Sequence, residues 1–337
     1  MRPQSSLLTA AVSIIITTAT AAALAQYRPP QSYLRTLHSR SGGLDLDAEY
    51  KPGFRLLFFD AFSGPPGSLP SSANWLLDTG TKYPSAAAPP RWGNNEVETY
   101  TNSPANVHIT PQHTLSITPL RDSASPNGTE AVAWTSARIE TLRSFGARAC
   151  GRLFVEARLA LGAAPSSRQQ GIWPAFWALG KAFRANITDW PGASEWDLLE
   201  SINGAPTMFA TAHCGVAPGG PCNEYNGLSN GGVAFSRGEF HTVGLMVDRS
   251  KCDKDDENGS WRDEKLVWFL DGQNVFNISG ERVADKSAWE QLAHREHFLL
   301  LNVAVGGNWP GPPNNLTLDG IDVGMEVDYV GVWDSQE

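Results

Sequence analysis

The stretch GRLFVEARLAL, residues 151–161, carries the alternation that decides the fold class. Leu153, Val155 and Ala157 fall on one side of an extended chain, and Phe154 and Glu156 fall on the other. Successive side chains of a β-strand point to opposite faces, so this pattern predicts a half-buried strand rather than a helix.

Similar runs recur at residues 241–248, 297–307 and 325–334, separated by Gly, Pro and Asn. Residues 264–278 form two such runs around Asp271-Gly272, which is a strong β-hairpin signal. Helical periodicity is poor, apart from a turn or two near residues 284–294. Many short strands at regular spacing predict an all-β sandwich, jelly roll or barrel.

The composition indicates one large globular domain. The chain has 337 residues, of which 41% are hydrophobic and 18% charged, enough for a sizeable core. No composition break interrupts residues 49–337, so we predict a single domain there. The net charge of -9 argues against nucleic acid as a partner.

The first 25 residues resemble a secretory signal peptide, with one Arg, an apolar run and small residues before Gln26. A retained membrane anchor is the alternative, but the run is short for a spanning helix and contains several Thr. We expect residues 26–48 to form a mobile extension. The protein is therefore predicted to be secreted, extracellular or in the cell wall, without a stable membrane anchor.

Sequons and cysteines agree with export. Two disulfides are expected from the four cysteines; the short Gly/Pro-rich loop favours Cys214–Cys222, which leaves Cys150–Cys252. Zinc is the competing interpretation, because His213 precedes Cys214, but the chain has no C-x-x-C pair. The predicted glycosylation sites are Asn127, Asn186, Asn258, Asn277 and Asn315.

The stretch EWDLLE, residues 195–200, places three acids among Trp and Leu, which indicates a buried or half-buried strand. Strict alternation would put Glu195 and Asp197 on one face and Glu200 on the other. A single β-bulge in the Leu198-Leu199 step would bring Glu200 onto the face of the other two acids. We therefore predict a bulge at this step.

Three adjacent carboxyls cannot all ionise at low cost, so one proton is expected to stay near neutral pH. A carboxylate beside a protonated carboxyl is the pair that glycoside hydrolysis requires, and close spacing favours retention of configuration. A calcium site and a solvated acidic face are the alternatives. The Trp and Leu residues of the stretch argue against both.

Aromatic residues strengthen the carbohydrate interpretation. The chain contains 12 Trp, and many stand beside Gly, Pro or Asn, as in sugar-binding clefts. About half of the Trp are expected to lie in the core.

Six motifs, WGNNEVETYT, GIWPAFWALG, SEWDLLES, ATAHCG, LNVAVGGNWPG and VDYVGVWD, occur in an order that resembles glycoside hydrolase family 16. The chain is most similar to the laminarinase-like branch with the E-x-D-x-x-E signature. The resemblance implies a β-jelly-roll of two curved antiparallel sheets with an open cleft on the concave face, and a retaining mechanism.

By motif, the resemblance makes Glu195 the nucleophile, Glu200 the general acid/base and Asp197 an assisting residue. The substrate contacts implied in the same way are Asn95, Trp173, Trp177, Trp190, His213 and Trp309. Two positions depart from the family pattern. Trp196 is bulkier than usual, and Ala61 stands where an acid is common, so the calcium site of some members is left open but not predicted.

The segment 214–232 is similar to secreted fungal members of the family, and Asn223, Glu224 and Tyr225 in it are expected to influence sugar selectivity. We predict an endo-acting hydrolase of β-1,3-glucan or mixed β-1,3/1,4-glucan that is monomeric and needs no cofactor. The alternatives are a β-1,3-galactanase, a cell-wall transglycosylase and a non-catalytic carbohydrate-binding protein. The last of these should lack one of the acids, and both Glu195 and Glu200 are present.

Overall fold

The structure, a computed structural model, describes residues 51, 53–122, 133–251 and 260–335. The predicted signal peptide (1–25) and extension (26–48) lie outside the described residues, as do Asn127, Cys252 and Asn258. Within the described part of the chain, no helix is both long enough and apolar enough to cross a membrane.

Short strands, nearly all in antiparallel pairs, make up most of the regular secondary structure of the described residues. They are β1 (Phe54–Asp60), β2 (Trp75–Asp78), β3 (Glu98–Tyr100), β4 (Val107–Ile109), β5 (Leu115–Ile117), β6 (Leu120–Asp122), β7 (Ala133–Ser136), β8 (Arg138–Thr141), β9 (Arg152–Leu161), β10 (Ile172–Gly180), β11 (Glu195–Glu200), β12 (Thr207–His213), β13 (Leu228–Ser229), β14 (Val233–Ala234), β15 (His241–Asp248), β16 (Lys265–Leu270), β17 (Gln273–Ser279), β18 (His297–Val305) and β19 (Met325–Ser335).

Two large sheets form the body of the molecule. The first sheet runs in the order β17-β16-β15-β9-β19-β5-β4, with β1 also paired to β19. The second sheet runs β13-β12-β11-β10-β18-β8-β2, with β14 also paired to β12. A small sheet, β3-β7-β6, adds a parallel pair between β3 and β7.

The hydrophobic core lies between the two large sheets. In β9, Leu153, Val155 and Ala157 are buried in it, as the alternation predicts. From the second sheet, Phe176 and Trp196 enter the same core. One face of each sheet is thus withdrawn from water, which provides the main drive for folding. The predicted all-β jelly-roll architecture is confirmed.

Among the residues that the structure describes, helical structure is limited to short pieces. α1 (Gly280–Val283) is capped by the Ser279 hydroxyl and α2 (Lys286–Trp289) by the Asp285 carboxylate, and a π-helical turn spans Glu290–His294. These pieces confirm the turns predicted near residues 284–294. The remaining short pieces are 3₁₀ turns at Pro90–Gly93, Ser166–Arg168, Lys181–Arg184, Ser260–Arg262 and Ile321–Val323.

The predicted hairpin between β16 and β17 is confirmed. Leu270 pairs with Gln273, and the two residues between them have positive φ, 49° at Asp271 and 77° at Gly272. Positive φ at both central positions is the tight-turn geometry that matches the twist of the strands.

The Cys214–Cys222 disulfide is formed, as predicted, with a Cα–Cα distance of 5.3 Å. The Cys150–Cys252 pairing stays a prediction, because Cys252 lies outside the described residues. Three of the predicted glycosylation sites, Asn186, Asn277 and Asn315, have exposed side chains.

Candidate active site

An extra residue in β11 brings the three acids of EWDLLE together. Asp197 pairs with Thr211 and Glu200 pairs with Phe209, so β11 has two residues where β12 has one. The pairing with β10 shifts at the same step. The predicted bulge is therefore present, and it turns Glu200 to the side of Glu195. We call this side of the second sheet the open face; it carries the acids of β11 and the neighbouring residues of β10 and β12 on the same side.

The intervening residues of β11 point the other way. Trp196, Leu198 and Leu199 are buried in the core between the sheets. Trp196 also donates a hydrogen bond from Nε1 to the carbonyl of Leu292 at 3.0 Å. Its size, unusual for the resembled family, is thus accommodated away from the acids.

Each outer acid receives a hydrogen bond from a tryptophan of the open face. Trp190 Nε1 donates to Glu195 Oε2 at 3.2 Å, and Trp173 Nε1 donates to Glu200 Oε1 at 2.9 Å. The Glu195 side chain remains 14% exposed, while that of Asp197 is 4% exposed. The outer acids are therefore oriented by one donor each and remain accessible to a ligand.

His213 stands against two of the acids. Its Nε2 lies 3.4 Å from Asp197 Oδ2 and 4.0 Å from Glu195 Oε1. Its Nδ1 lies 2.7 Å from Glu224 Oε2, on the far side of the ring. The ring is thus enclosed by carboxyl groups, and the prediction that His213 faces the acids agrees with its position.

Burial and mutual repulsion keep protons in this cluster. The pKa of Glu195 is raised to about 8, because burial and the charge of Asp197 together outweigh the opposing charge of His213. Burial and the charges of Asp197 and Glu195 also hold the pKa of Glu200 well above its usual range. Burial alone would lower the pKa of His213, but the neighbouring Asp197 and Glu224 carboxylates raise it well above its ordinary value.

This arrangement separates an acid from a carboxylate. Glu195 lies next to the His213 cation, which favours its ionised form, whereas Glu200 receives its hydrogen bond from a neutral indole. In a coupled cluster of this kind the first proton is expected to leave the carboxyl nearest the cation. The geometry can therefore supply a nucleophilic carboxylate and a proton donor on one face.

One atom each from Glu195, Asp197 and His213 lie within 4.8 Å of one another, a spacing that a metal ion could span. A metal would have to displace the proton from His213 Nε2. The same spacing is that of a cluster of opposite charges, so it does not by itself assign a metal to this group. Asp60, next to Ala61, accepts hydrogen bonds at both of its carboxylate oxygens, from Phe62 N and from the side chains of Asn74 and Trp75.

Two aromatic groups flank the acids. Beside Glu195, the Trp190 ring is stacked on Tyr225 with centroids 6.2 Å apart and an interplanar angle of 16°. Beside Glu200, the Trp309 ring makes edge contacts with Trp173 at 5.7 Å and with Phe209 at 5.1 Å. Tyr225 is 67% exposed and Trp309 is 42% exposed, so both present free ring surface to a ligand.

The loop that carries Trp309 is tied to Trp173 and to the predicted contact Asn95. Asn95 Nδ2 donates to Asn308 Oδ1 at 2.7 Å. Gly307 has a φ of 121°, and a Cβ there would lie 3.1 Å from the Trp173 ring. Glycine at this position therefore permits the close approach between the loop and the indole.

Trp177 lies on the open face beside Asp197 but is committed to a protein partner. Its Nε1 donates to Asn302 Oδ1 at 2.7 Å, and Arg138 lies over its ring at 4.8 Å. Trp177 thus offers a sugar only its ring surface. Phe209 was not among the predicted contacts. The strand alternation could have identified it, because Phe209, Thr211 and His213 fall on the same face of β12.

The search against protein-family models found no match. Among solved structures, the fold is similar to an endo-1,3-β-glucanase from Streptomyces sioyaensis, with 37% sequence identity and a TM-score of 0.76. The match covers 85% of this chain and 98% of that one. An endo-β-1,3-glucanase from Pyrococcus furiosus matches with 27% identity and a TM-score of 0.62, covering 84% of this chain and 95% of that one.

Among named relatives, the chain is 26% identical over 295 residues to glucan endo-1,3-β-glucosidase A1 of Niallia circulans. That match covers 84% of this chain and 38% of the relative, so the chain spans well under half of that protein's length. It is 28% identical over 249 residues to a glucan endo-1,3-β-glucosidase of Cryptopygus antarcticus, covering 72% of this chain and 82% of the relative.

Proposed function

The chain belongs to glycoside hydrolase family 16, in its endo-β-1,3-glucanase branch, and on that basis we propose that it hydrolyses internal bonds of β-1,3-glucan or mixed β-1,3/1,4-glucan. The observation that carries the proposal is the bulge in β11, which places Glu195 and Glu200 on one face. A second acid on the same face is what separates a hydrolase site from a binding surface.

In the proposed reaction, Glu195 attacks the anomeric carbon of the glucosyl unit while the bond to the leaving oxygen breaks. Glu200 donates its proton to that oxygen, and the reducing-end fragment departs. Water then attacks the glycosyl–Glu195 ester, and Glu200 takes the proton from that water. Two displacements at the same carbon give retention of configuration.

Asp197 and His213 act on the charge of the nucleophile in this scheme. His213 stabilises the Glu195 carboxylate through its Nε2 at 4.0 Å. Asp197 lies 3.4 Å from the same nitrogen and acts as the counter-charge of the imidazolium. Preorganised charges of this kind lower the barrier without reorganising during the reaction.

The flanking aromatic groups support an endo mode of action. Sugar rings stack on aromatic faces through their C–H surfaces. The exposed Tyr225 ring, stacked on Trp190, stands beside Glu195, and the exposed Trp309 ring stands beside Glu200. A chain bound at both ends of the acid cluster would be cut internally.

Export and subtype are part of the proposal. The exposed sequon residues Asn186, Asn277 and Asn315 support a secreted glycoprotein that acts outside the cell or in its wall. We further propose that it acts as a monomer. The disulfide loop at Cys214–Cys222 supports the similarity to secreted fungal members.

Incubation of the purified protein with laminarin, lichenan and β-1,3-galactan tests the proposal. Short glucan oligosaccharides with retained configuration are expected from laminarin or lichenan. Activity on galactan alone would overturn the substrate, and products longer than the starting oligosaccharide would assign a transglycosylase instead. Glu200→Gln should lose polymer hydrolysis but still cleave aryl glycosides whose leaving group needs no proton.

A further inference from the structure

The mechanism leaves one buried carboxylate of the site without a role. Glu224 is 5% exposed and lies outside the E-x-D-x-x-E segment, in the chain that follows the Cys214–Cys222 disulfide. Burying a carboxylate costs free energy unless it is fully paired. Its partners therefore indicate what it is for.

Both oxygens of Glu224 are used as acceptors. Oε2 accepts from His213 Nδ1 at 2.7 Å, and Oε1 accepts from the backbone N–H of Cys214 at 2.8 Å. The backbone of Glu224 is held in turn, because its N–H and C=O both pair with Gly219. The segment 214–227, which we call the returning loop, thus presents this carboxylate to one ring nitrogen in a fixed orientation.

The other ring nitrogen faces the acids of the open face. Asp197 Oδ2 is buried and makes no standard hydrogen bond to any residue that the structure describes, so His213 Nε2 at 3.4 Å is its charge partner. A lone pair at Nε2 would be repelled by Asp197 and by Glu195. Since Nδ1 must donate to Glu224, attraction on both sides requires a proton on both nitrogens.

The ring has little freedom to turn away. A Cβ at Gly227, where φ is 69°, would lie 2.8 Å from His213 Cε1, so the returning loop passes directly over the ring edge. The Trp190 ring lies 5.4 Å from the imidazole. The charged groups that face the ring are Glu195 and Asp197 from β11 and Glu224 from the loop, with Glu200 further along the face.

We propose that Glu224 is a positioning residue, which holds His213 as a doubly protonated imidazolium directed at Glu195 and Asp197 during the glycosidase reaction. This inference rests on the proposed function for its catalytic consequence, but the state of the His213 ring does not depend on any substrate. The loop therefore acts on the nucleophile through the histidine rather than through the sugar.

Nitrogen-15 NMR of the imidazole rings tests the state of His213 without substrate. In the wild-type protein, both His213 nitrogens should stay protonated above pH 7, with the signal assigned by its loss in His213→Gln. In Glu224→Gln the amide cannot accept from both Nδ1 and Cys214 N–H, so His213 should become neutral at a lower pH. A neutral His213 ring in the wild-type protein at pH 6 would overturn the proposal.

Turnover on laminarin gives the second readout. The ratio of wild-type to Glu224→Gln kcat/KM should grow as pH rises from 5 to 8, by about tenfold for each pKa unit that His213 has lost. A loss that is equal at all pH values would show that Glu224 only anchors the loop, and would overturn the proposal. If Glu224→Gln does not fold, Glu224→Asp, which keeps the charge, should leave His213 doubly protonated; a neutral ring there would also overturn it.

Glu264→Gln is the matched control. Glu264 also accepts from a histidine, His294 Nε2 at 2.6 Å, and from Trp289 Nε1 at 2.7 Å, but it is not on the open face. This variant should lower stability and leave the pH profile of kcat/KM unchanged. If laminarin is not hydrolysed but His213 is doubly protonated only with Glu224 present, the proposed function fails and the pairing stands.

Discussion

This protein contains two groups of neighbouring acidic residues, and the carboxyl groups of the two groups have different roles. The first, the open-face cluster, is Glu195, Asp197 and Glu200 with His213. The second, which we call the buried acid pair, is Glu96 and Glu98, 4% and 1% exposed. Burial raises the pKa of Glu98 well above its usual range, and Glu96 adds to the rise, much as in the open-face cluster.

The difference lies in how the oxygens are used. Glu98 Oε2 accepts from the backbone N–H of Val305 at 2.7 Å, and Glu96 accepts from the Tyr100 hydroxyl at 2.9 Å and from Asn94 Nδ2 at 3.3 Å. The Glu98 bond links β3 to the end of β18, and the Glu96 bonds hold the segment that leads into β3. In the open-face cluster, the outer acids receive one indole N–H each and still face a ligand. A raised pKa alone therefore does not identify a catalytic carboxyl.

Replacing one glutamate in each group by glutamine should give the largest difference between the two groups. Glu195→Gln should lower kcat on laminarin by at least about 10³-fold, since no nucleophile remains, while polymer binding persists. Glu98→Gln should leave kcat close to the wild-type value, because the amide imitates a protonated carboxyl. Steady-state kinetics and a pull-down on insoluble glucan measure both. Similar losses of kcat in the two variants would contradict the different roles of the two groups.

Asp197→Asn should have an intermediate effect. Losing a charge partner of His213 should lower kcat/KM by about tenfold to a hundredfold, which corresponds to roughly 1.4–2.8 kcal/mol. The Asp197 charge raises the pKa of Glu195, so its removal should lower that pKa. The acidic limb of the kcat/KM profile, measured on laminarin, should then move to lower pH. A shift to higher pH would contradict the assigned charge relation.

Trp309→Ala should act on binding rather than on chemistry. Loss of a stacking surface should raise KM for laminarin by about threefold to tenfold, corresponding to roughly 0.5–1.5 kcal/mol. The value of kcat should change less, because the ring contacts Trp173 and Phe209 but not the acids. Initial rates over a range of laminarin concentrations separate the two constants, and a fall in kcat alone would refute this role.

The smallest expected effect is the contribution of the buried acid pair to the pH dependence of the free energy of unfolding. In the folded protein Glu98 keeps its proton above its ordinary pKa of 4.5, whereas the unfolded chain loses it. The free energy of unfolding should therefore fall as pH rises from about 4.5, with a slope of at most about 1.4 kcal/mol per pH unit for one proton. Glu98→Gln should flatten this slope in urea titrations between pH 4 and 7. An unchanged slope would place the proton on another group.

Much of the fold could be predicted because alternation is a local property. The strand at 152–161, the hairpin at Asp271-Gly272 and the bulge beside Leu198 each follow from a few consecutive residues. The role of EWDLLE could also be predicted from the stretch itself. Three acids are tolerated there because they share protons and face a ligand.

Other parts of the site could not be predicted, because they depend on which strands become neighbours. The bond from Trp177 to Asn302 joins residues 125 positions apart, and that from Asn95 to Asn308 joins residues 213 positions apart. The Glu224 contact depends on a loop that folds back over its own strand. Nothing in the residue types alone assigns such partners.

The bulge also determines what a one-residue deletion in β11 would do to the site. Removing the single codon of Leu198, an apolar residue that no substrate would touch, would restore strict alternation to the end of β11. Glu200 would then stand two positions after Asp197, so it would keep its place on the open face without a bulge. Such a deletion would thus cost the core one buried leucine and leave the three acids side by side on the open face.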